Sequence, residues 1–170
     1  MMADFSKEIG AQMPLGFFDP LGMLKDADQQ TFDLYREIEV KHGRVAQLAV
    51  LGHIVTTAGV RLPGDIAYGV PFSSVKVGLA GLETVPFGGL VQIILFIGLL
   101  EMGYTSRKAE IEKVHLEKSK WNEKTIANKK AIELNNGRAA QMGILGLMVH
   151  EKIDGKPLIL PFLSHFSVLI

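Results

Sequence analysis

Ile38-Glu39-Val40-Lys41-His42-Gly43-Arg44-Val45-Ala46-Gln47 returns 94 residues later as Ile132-Glu133-Leu134-Asn135-Asn136-Gly137-Arg138-Ala139-Ala140-Gln141. The match continues through Leu51-Gly52 and Leu145-Gly146 to Val55 and Val149. A fixed offset held over that length points to duplication, and two copies of one helix are expected to pair about a pseudo-twofold axis. Within each copy the Glu and Arg are five residues apart. That spacing leaves their side chains ~140° apart around the helix, too far for a good pair. If the copies cross, Glu39 reaches Arg138 and Glu133 reaches Arg44, and two reciprocal ion pairs neutralise four charges at one crossing. An unpaired charge near the centre of a membrane helix costs at least ~2.5–3.5 kcal/mol, so pairing there is close to obligatory. The opposing reading, two solvated faces with coincidental charges, does not explain the repeat.

Small residues recur every three positions along both copies: Gly43, Ala46, Ala49 and Gly52, then Gly137, Ala140, Gly143 and Gly146. Such a stripe lets helix backbones approach closely, or lets a flat rigid molecule lie in the groove. The two uses are compatible.

Outward from the repeat, the chain reads as one domain over residues 1–170 with helices at approximately 28–59, 87–118 and 124–153. The first helix is charged early and apolar from Val45 to Val60, and Pro63-Gly64 ends it. Residues 61–86 read as a linker rich in Gly and Pro. An apolar stretch follows from Pro86 to Tyr104, with a charged extension to about Lys130. The third helix is again charged first and apolar later, and the short apolar tail carries Pro157 and Pro161. Residues 1–28 are polar and irregular around Pro14-Leu15-Gly16-Phe17-Phe18-Asp19-Pro20-Leu21-Gly22. Phe17 and Phe18 there either insert into a membrane interface or pack locally. The apolar halves run about 16–19 residues, slightly short of the ~20 needed to span hydrocarbon. Hydropathy alone therefore leaves a buried soluble core and a membrane bundle open, and the polar residues at the helix starts decide for the bundle. The expected fold is an all-α membrane protein with three transmembrane helices, the first and third crossed.

Composition narrows the function classes. The 170-residue chain has no cysteine, which excludes disulfides and thiolate metal sites. Its net charge is zero, so nucleic acid is not an expected partner. Hydrophobic residues make up 48%, and mean hydropathy is +0.23, high for a soluble domain and low for a pure membrane bundle. Met1-Met2-Ala3-Asp4 shows no basic region ahead of an apolar core, so no signal peptide is expected.

Candidate metal ligands sit beside the repeated charges. Glu39 and His42 are one turn apart, as are Glu133 and Asn136. A charge-neutralised carboxylate, an imidazole and an amide oxygen can each give a lone pair to one open axial position, as a chlorophyll magnesium requires. One oxygen of each Glu can face the Arg while the other faces metal. His150 lies 14 residues beyond Asn136, a rise of ~21 Å within ~40° of the same face. One pigment near each membrane surface is the expected consequence. Gln92 and Glu101, nine residues apart on the middle helix, lie on opposite faces. Each sits in or at the edge of an apolar run and needs a partner, which for Gln92 is either a pigment or a neighbouring helix. His53 and Gln47 are further candidates, with a hydrogen-bonded core role as the competing reading. His115 and His165 lie in charged or terminal segments and carry little of the argument.

At this point a family pattern emerges. Glu-x-x-His-Gly-Arg at 39–44 and Glu-x-x-Asn-Gly-Arg at 133–138 resemble the paired signatures of the chlorophyll-binding light-harvesting complex superfamily. Pro14–Gly22, Arg61-Leu62-Pro63-Gly64-Asp65 and Ala139-Ala140-Gln141-Met142-Gly143 resemble its fucoxanthin chlorophyll a/c branch, known from diatoms. The resemblance covers nearly the whole chain. It implies Glu39, His42, Glu133 and Asn136 as chlorophyll ligands, with His150 where some relatives have Gln and Glu101 as the middle-helix carboxylate. Arg44 and Arg138 become their structural partners. It further implies chlorophyll a, chlorophyll c, fucoxanthin and the xanthophyll-cycle carotenoid diadinoxanthin. The implied setting is a plastid thylakoid membrane, with photosystem II or I cores, other antenna subunits and thylakoid lipids as partners in a homo- or hetero-oligomer. The implied function is light harvesting with no bond made. Residues 106–130, an unusually charged extension, depart from the family pattern.

Charge supports an orientation independently. Residues 106–131 hold eight Lys or Arg against four acids, whereas 61–86 are balanced. By the positive-inside rule the basic segment faces the stroma, which puts the N-terminus in the stroma and the C-terminus in the lumen. Two rival readings fit the residues less well. A di-iron carboxylate bundle also uses Glu-x-x-His, but the second copy has Asn136, and Arg44 and Arg138 would press cations against iron. A photoprotective, energy-dissipating role would call for clustered lumenal acids, and Asp65, Glu83, Glu151 and Asp154 are dispersed.

Overall fold

A computed structural model of the chain describes residues 5–155. The tail prolines, Pro157 and Pro161, and His165 fall outside the described residues. The chain is mostly helical, with the order η1 (Phe5–Lys7), α1 (Gln29–Thr57), β1 (Asp65–Ala67), β2 (Val70–Pro71), η2 (Phe72–Ser74), α2 (Ala80–Thr84), α3 (Phe87–Ser119) and α4 (Glu123–Asp154). It divides into two compact units. One comprises residues up to Leu51 together with Asn122–Gly146; the other comprises Gly52–Trp121 together with residues from Leu147 onward.

Two helix starts extend the repeat. The Asp28 carboxylate accepts the Thr31 backbone N–H at 2.9 Å, and the Asn122 side-chain oxygen accepts the Thr125 N–H at 2.8 Å. Both are N-caps satisfying one of the orphan donors of a first turn, and the 94-residue offset relates them. The hydrogen bonds from Thr31 hold the Asp28 carboxyl below the ordinary carboxylate range.

In the first unit α1 and α4 meet at Gly43 and Gly137. A Cβ built on Gly43 would lie 2.8 Å from the Gly137 Cα, and one on Gly137 would lie 2.9 Å from the Gly43 Cα. No other residue type lets the backbones come this close. Ala46 and Leu134 are buried near this contact in sequence, and Phe32 is buried under Phe5, whose ring stacks on it at 4.4 Å. The N-terminal segment is pinned by Asp19, whose carboxylate accepts the N–H groups of Met23 and Leu24. Phe17 and Phe18 stay exposed.

In the second unit the all-α expectation needs a correction. Residues 65–71 form a small antiparallel ladder pairing Asp65 with Pro71 and Ala67 with Val70. Tyr68-Gly69 makes the reversal, Gly69 taking φ +73°. Ile66 packs on Gly89 in the first turn of α3. A short helix, α2, also interrupts what the sequence suggests is plain linker. Glu151 of α4 is 7% exposed and accepts the N–H groups of Leu79 at 2.8 Å and Ala80 at 3.3 Å, at the start of α2. Gly78, at φ +69°, lies so close that any Cβ would collide with that carboxylate. Glu151 is therefore a buried clamp on this turn, not one of four dispersed acids.

α3 spans 33 residues, ~50 Å of helix, against a hydrocarbon thickness of ~30 Å. Among the described residues it is the one helix that is long and apolar enough to cross a membrane by length and composition. Leu95, Phe96, Leu99 and Leu100 are more than half exposed. Lys120, with a left-handed backbone at φ 49°, stops the helix. α1 and α4 miss the same test because their first halves carry the repeated charges.

Candidate functional site

The repeated Glu and Arg residues meet in the first unit. Arg44 Nε donates to Glu133 Oε1 at 2.6 Å, and Arg138 Nε donates to Glu39 Oε1 at 2.7 Å. Neither pair forms within one helix. Both span from α1 to α4 around the Gly43–Gly137 contact, where only backbone separates the helices. The side chains of the Arg44–Glu133 pair are 50% and 36% exposed. In water such a pair contributes about 0–1 kcal/mol; in hydrocarbon each orphaned charge would cost ~2.5–3.5 kcal/mol. The arrangement is worth most in a membrane.

His42 follows Glu39 by one turn and is exposed. Its Nδ1–H donates to the Ile38 carbonyl at 2.8 Å, which fixes the tautomer and leaves Nε2 with its lone pair outward. The ring borders an apolar groove of about 390 Å³ formed by Val45, Ala46 and Ala49 of α1 with Gln141 and Ile144 of α4. Asn136 is likewise exposed one turn after Glu133. The stripe of small residues is used for helix contact at Gly43 and Gly137. A Cβ on Gly143 would only touch Val50 at 3.9 Å, and Gly52 and Gly146 face open space.

Glu39 also borders a second hollow of about 430 Å³, walled by residues 10–18 of the N-terminal segment with Tyr35, Asn135 and Arg138. Several contacts here have no counterpart in the sequence reading. Arg138 Nη1 donates to the Gly10 carbonyl at 2.8 Å, Asn135 donates to the Gln12 side chain, and Arg36 Nη1 donates to Glu39 Oε2 at 2.6 Å. The Arg36 contact carried a legible signal, because it sits three residues before Glu39 on one helix face. The other two join residues more than 120 apart and left none.

Gln47 lies exposed on α1 in the first unit, and the other remaining candidates among the described residues lie in the second. Gln92 is exposed on α3, and Glu101 is half-buried on the same helix. His150 Nε2 sits 3.1 Å from Asp154 Oδ2, and its Nδ1 is buried with no hydrogen-bond partner. His53 Nε2 and Thr57 Oγ1 are buried and unpartnered as well. Orphaned imidazole nitrogens on apolar helix ends are atoms that a ligand can satisfy. Among the described residues no three His, Asp or Glu side chains gather into a metal cluster, and guanidinium nitrogens hold the Glu39 and Glu133 oxygens that a di-iron site would use.

Known proteins resemble this chain in sequence. The family model described as chlorophyll a-b binding protein matches residues 5–152. The fucoxanthin-chlorophyll a-c binding protein F of Phaeodactylum tricornutum, named as chloroplastic, is 49% identical over 88% of this chain and 80% of its own length. The fucoxanthin-chlorophyll a-c binding protein of Trieres chinensis is 49% identical over 89% of the chain and 81% of its own. Protein D of Macrocystis pyrifera, of the same description, is 47% identical over 94% and 93%. On the match of residues 5–152 and these identities, the chain belongs to the chlorophyll a-b binding protein family.

Proposed function

We propose that this chain is a light-harvesting antenna subunit that holds chlorophyll a, chlorophyll c and fucoxanthin and passes excitation toward a photosystem. The observation that carries this reading is the pair of reciprocal Glu–Arg contacts at 2.6 and 2.7 Å. They set an arginine from the opposite helix against each of two carboxylates, with a further donor, His42 or Asn136, one turn beyond each. The donor set fits chlorophyll: oxygen and nitrogen donors that magnesium takes, with the His42 ring on the edge of the apolar groove. Glu39, His42, Glu133 and Asn136 are the proposed ligands around the crossing, with Glu101, Gln92 and His150 in the second unit. Arg44 and Arg138 hold the carboxylates in position. The small-residue faces at Gly143 and Gly146 leave room for a flat ring or a polyene.

The same reading makes α1, α3 and α4 three thylakoid spans, α1 and α4 related by a pseudo-twofold axis. The basic segment 106–131 sits at the stromal surface, with the N-terminus stromal and the C-terminus lumenal. Photosystem II or I cores and other antenna subunits are the partners, diadinoxanthin is a further carotenoid, and the assembly is oligomeric. The bound pigments absorb light, and the protein fixes their separation, orientation and polarity. No substrate is turned over.

The test is the fluorescence excitation spectrum of the purified pigment complex, with emission read at chlorophyll a. Fucoxanthin and chlorophyll c bands should appear in that spectrum at nearly their absorptive weight. Bands present in absorption and missing in excitation contradict the antenna role.

A further inference from the structure

The N-terminal segment is fastened to both helices of the crossing at three points. Phe5 is buried, its ring stacked on Phe32 of α1 at 4.4 Å. The Gly10 carbonyl accepts from Arg138 Nη1 of α4 at 2.8 Å, and the Gln12 side chain accepts from Asn135 of the same helix. Two turns link the first point to the second, with the Glu8 N–H donating to the Phe5 carbonyl and the Ala11 N–H to the Glu8 carbonyl, both at 3.1 Å. Gly10 is the tightest of the three. Its φ of +108° favours glycine, and a Cβ there would lie 2.6 Å from Leu134 Cδ2 and 2.7 Å from Arg36 Nη1. Leu134 is 2% exposed and Arg36 is held by Glu39 Oε2, so neither side chain yields freely.

Arg138 is the cation on Glu39 Oε1, at 2.7 Å through Nε. A guanidinium is planar and rigid, so a second acceptor fixes its plane, where a single bond leaves it free to turn. The Gly10 carbonyl is such an acceptor. An ionised carboxylate offers about four lone-pair sites, so Glu39 keeps acceptor positions beyond those given to Arg36 and Arg138. Their direction follows from where the guanidinium groups hold the carboxylate. We infer that Gly10 is a positioning residue for the Glu39 pigment: its carbonyl orients Arg138, and Arg138 aims the glutamate at magnesium. This rests on the reading that Glu39 is a chlorophyll ligand. Phe5 and Gln12 serve the same end by holding the segment in place on either side of Gly10.

The experiment uses the full chain reconstituted with chlorophyll a, chlorophyll c and fucoxanthin. The Glu39 pigment is assigned from the difference spectrum of Glu39→Ala, and release is followed after dilution into pigment-free detergent. In Gly10→Ala, release of the Glu39 pigment should speed roughly tenfold, the scale of one hydrogen bond to a charged group. Its absorption band should shift while the other bands stay in place. Arg138→Lys keeps a cation beside Glu39 but not the planar fork, and should speed release of the same pigment. In the double variant that pigment should leave no more than about twofold faster than in the faster single variant, because both changes break one chain of contacts. An effect of Gly10→Ala that ran through Arg36 instead would add to that of Arg138→Lys. Unchanged or slower release in Gly10→Ala, equal acceleration of every pigment, or additive effects in the double variant overturn the inference. If Gly10→Ala does not assemble, Phe5→Ala removes the anchor on Phe32: a smaller, selective acceleration supports the inference and unchanged release overturns it. The underlying pigment reading fails separately, before Gly10 is altered, if the wild-type chain takes up no chlorophyll or Glu39→Ala retains every one.

Discussion

Replacing Gly137 with valine should abolish assembly of the pigment complex. A Cβ at that position lies 2.9 Å from the Gly43 Cα, and the obstacle is backbone, which cannot rotate away. Relief requires the helices to separate. Overpacking alone costs about 1–3 kcal/mol, and separation also stretches the 2.6 and 2.7 Å ion pairs on either side. Their loss in hydrocarbon adds several kcal/mol, enough in sum to exhaust the ~5–15 kcal/mol stability of an ordinary domain at its lower end. Yield of pigmented complex on a density gradient measures this. Gly88→Ala is the control, because its Cβ would meet nothing within 4 Å. A normal yield from Gly137→Val would show that the close helix contact is dispensable.

Reversing one charge and then both should separate pairing from ligation. Arg44→Glu places two carboxylates where an Arg and a Glu met at 2.6 Å. In hydrocarbon each orphaned charge costs ~2.5–3.5 kcal/mol, and the complex should melt far below wild type. Adding Glu133→Arg restores opposite charges across the same contact. The double variant should recover most of the melting temperature and still lack the pigment ligated through residue 133, since arginine has no lone pair to give. Circular dichroism melts with absorption spectra check both halves. A double variant no more stable than Arg44→Glu would mean that the pair does not hold the helices.

Much of this was legible because the 94-residue offset converts a long-range question into a local one. Glu39 and Arg44 cannot pair within a helix, so the repeat itself names their partners. The same offset carries the caps Asp28 and Asn122, both N-cap residue types. What stayed hidden depends on contacts without a pattern. Glu151 reads as an exposed acid by its neighbours His150 and Lys152, and only the approach of Leu79, 72 positions away, buries it. The hairpin at 65–71 is hidden among the Gly and Pro residues of a linker, because five strand residues are too few to set an alternation.

The central claim is that the glutamates of the repeat, neutralised by arginines from the opposite helix, hold chlorophyll magnesium. Pigment stoichiometry tests it most directly: wild-type chain and Glu133→Ala are reconstituted side by side, and the pigments per chain are counted by chromatography. The account predicts one chlorophyll fewer per chain in Glu133→Ala, with a matching loss in the absorption spectrum. A full pigment complement with an unchanged spectrum would contradict it.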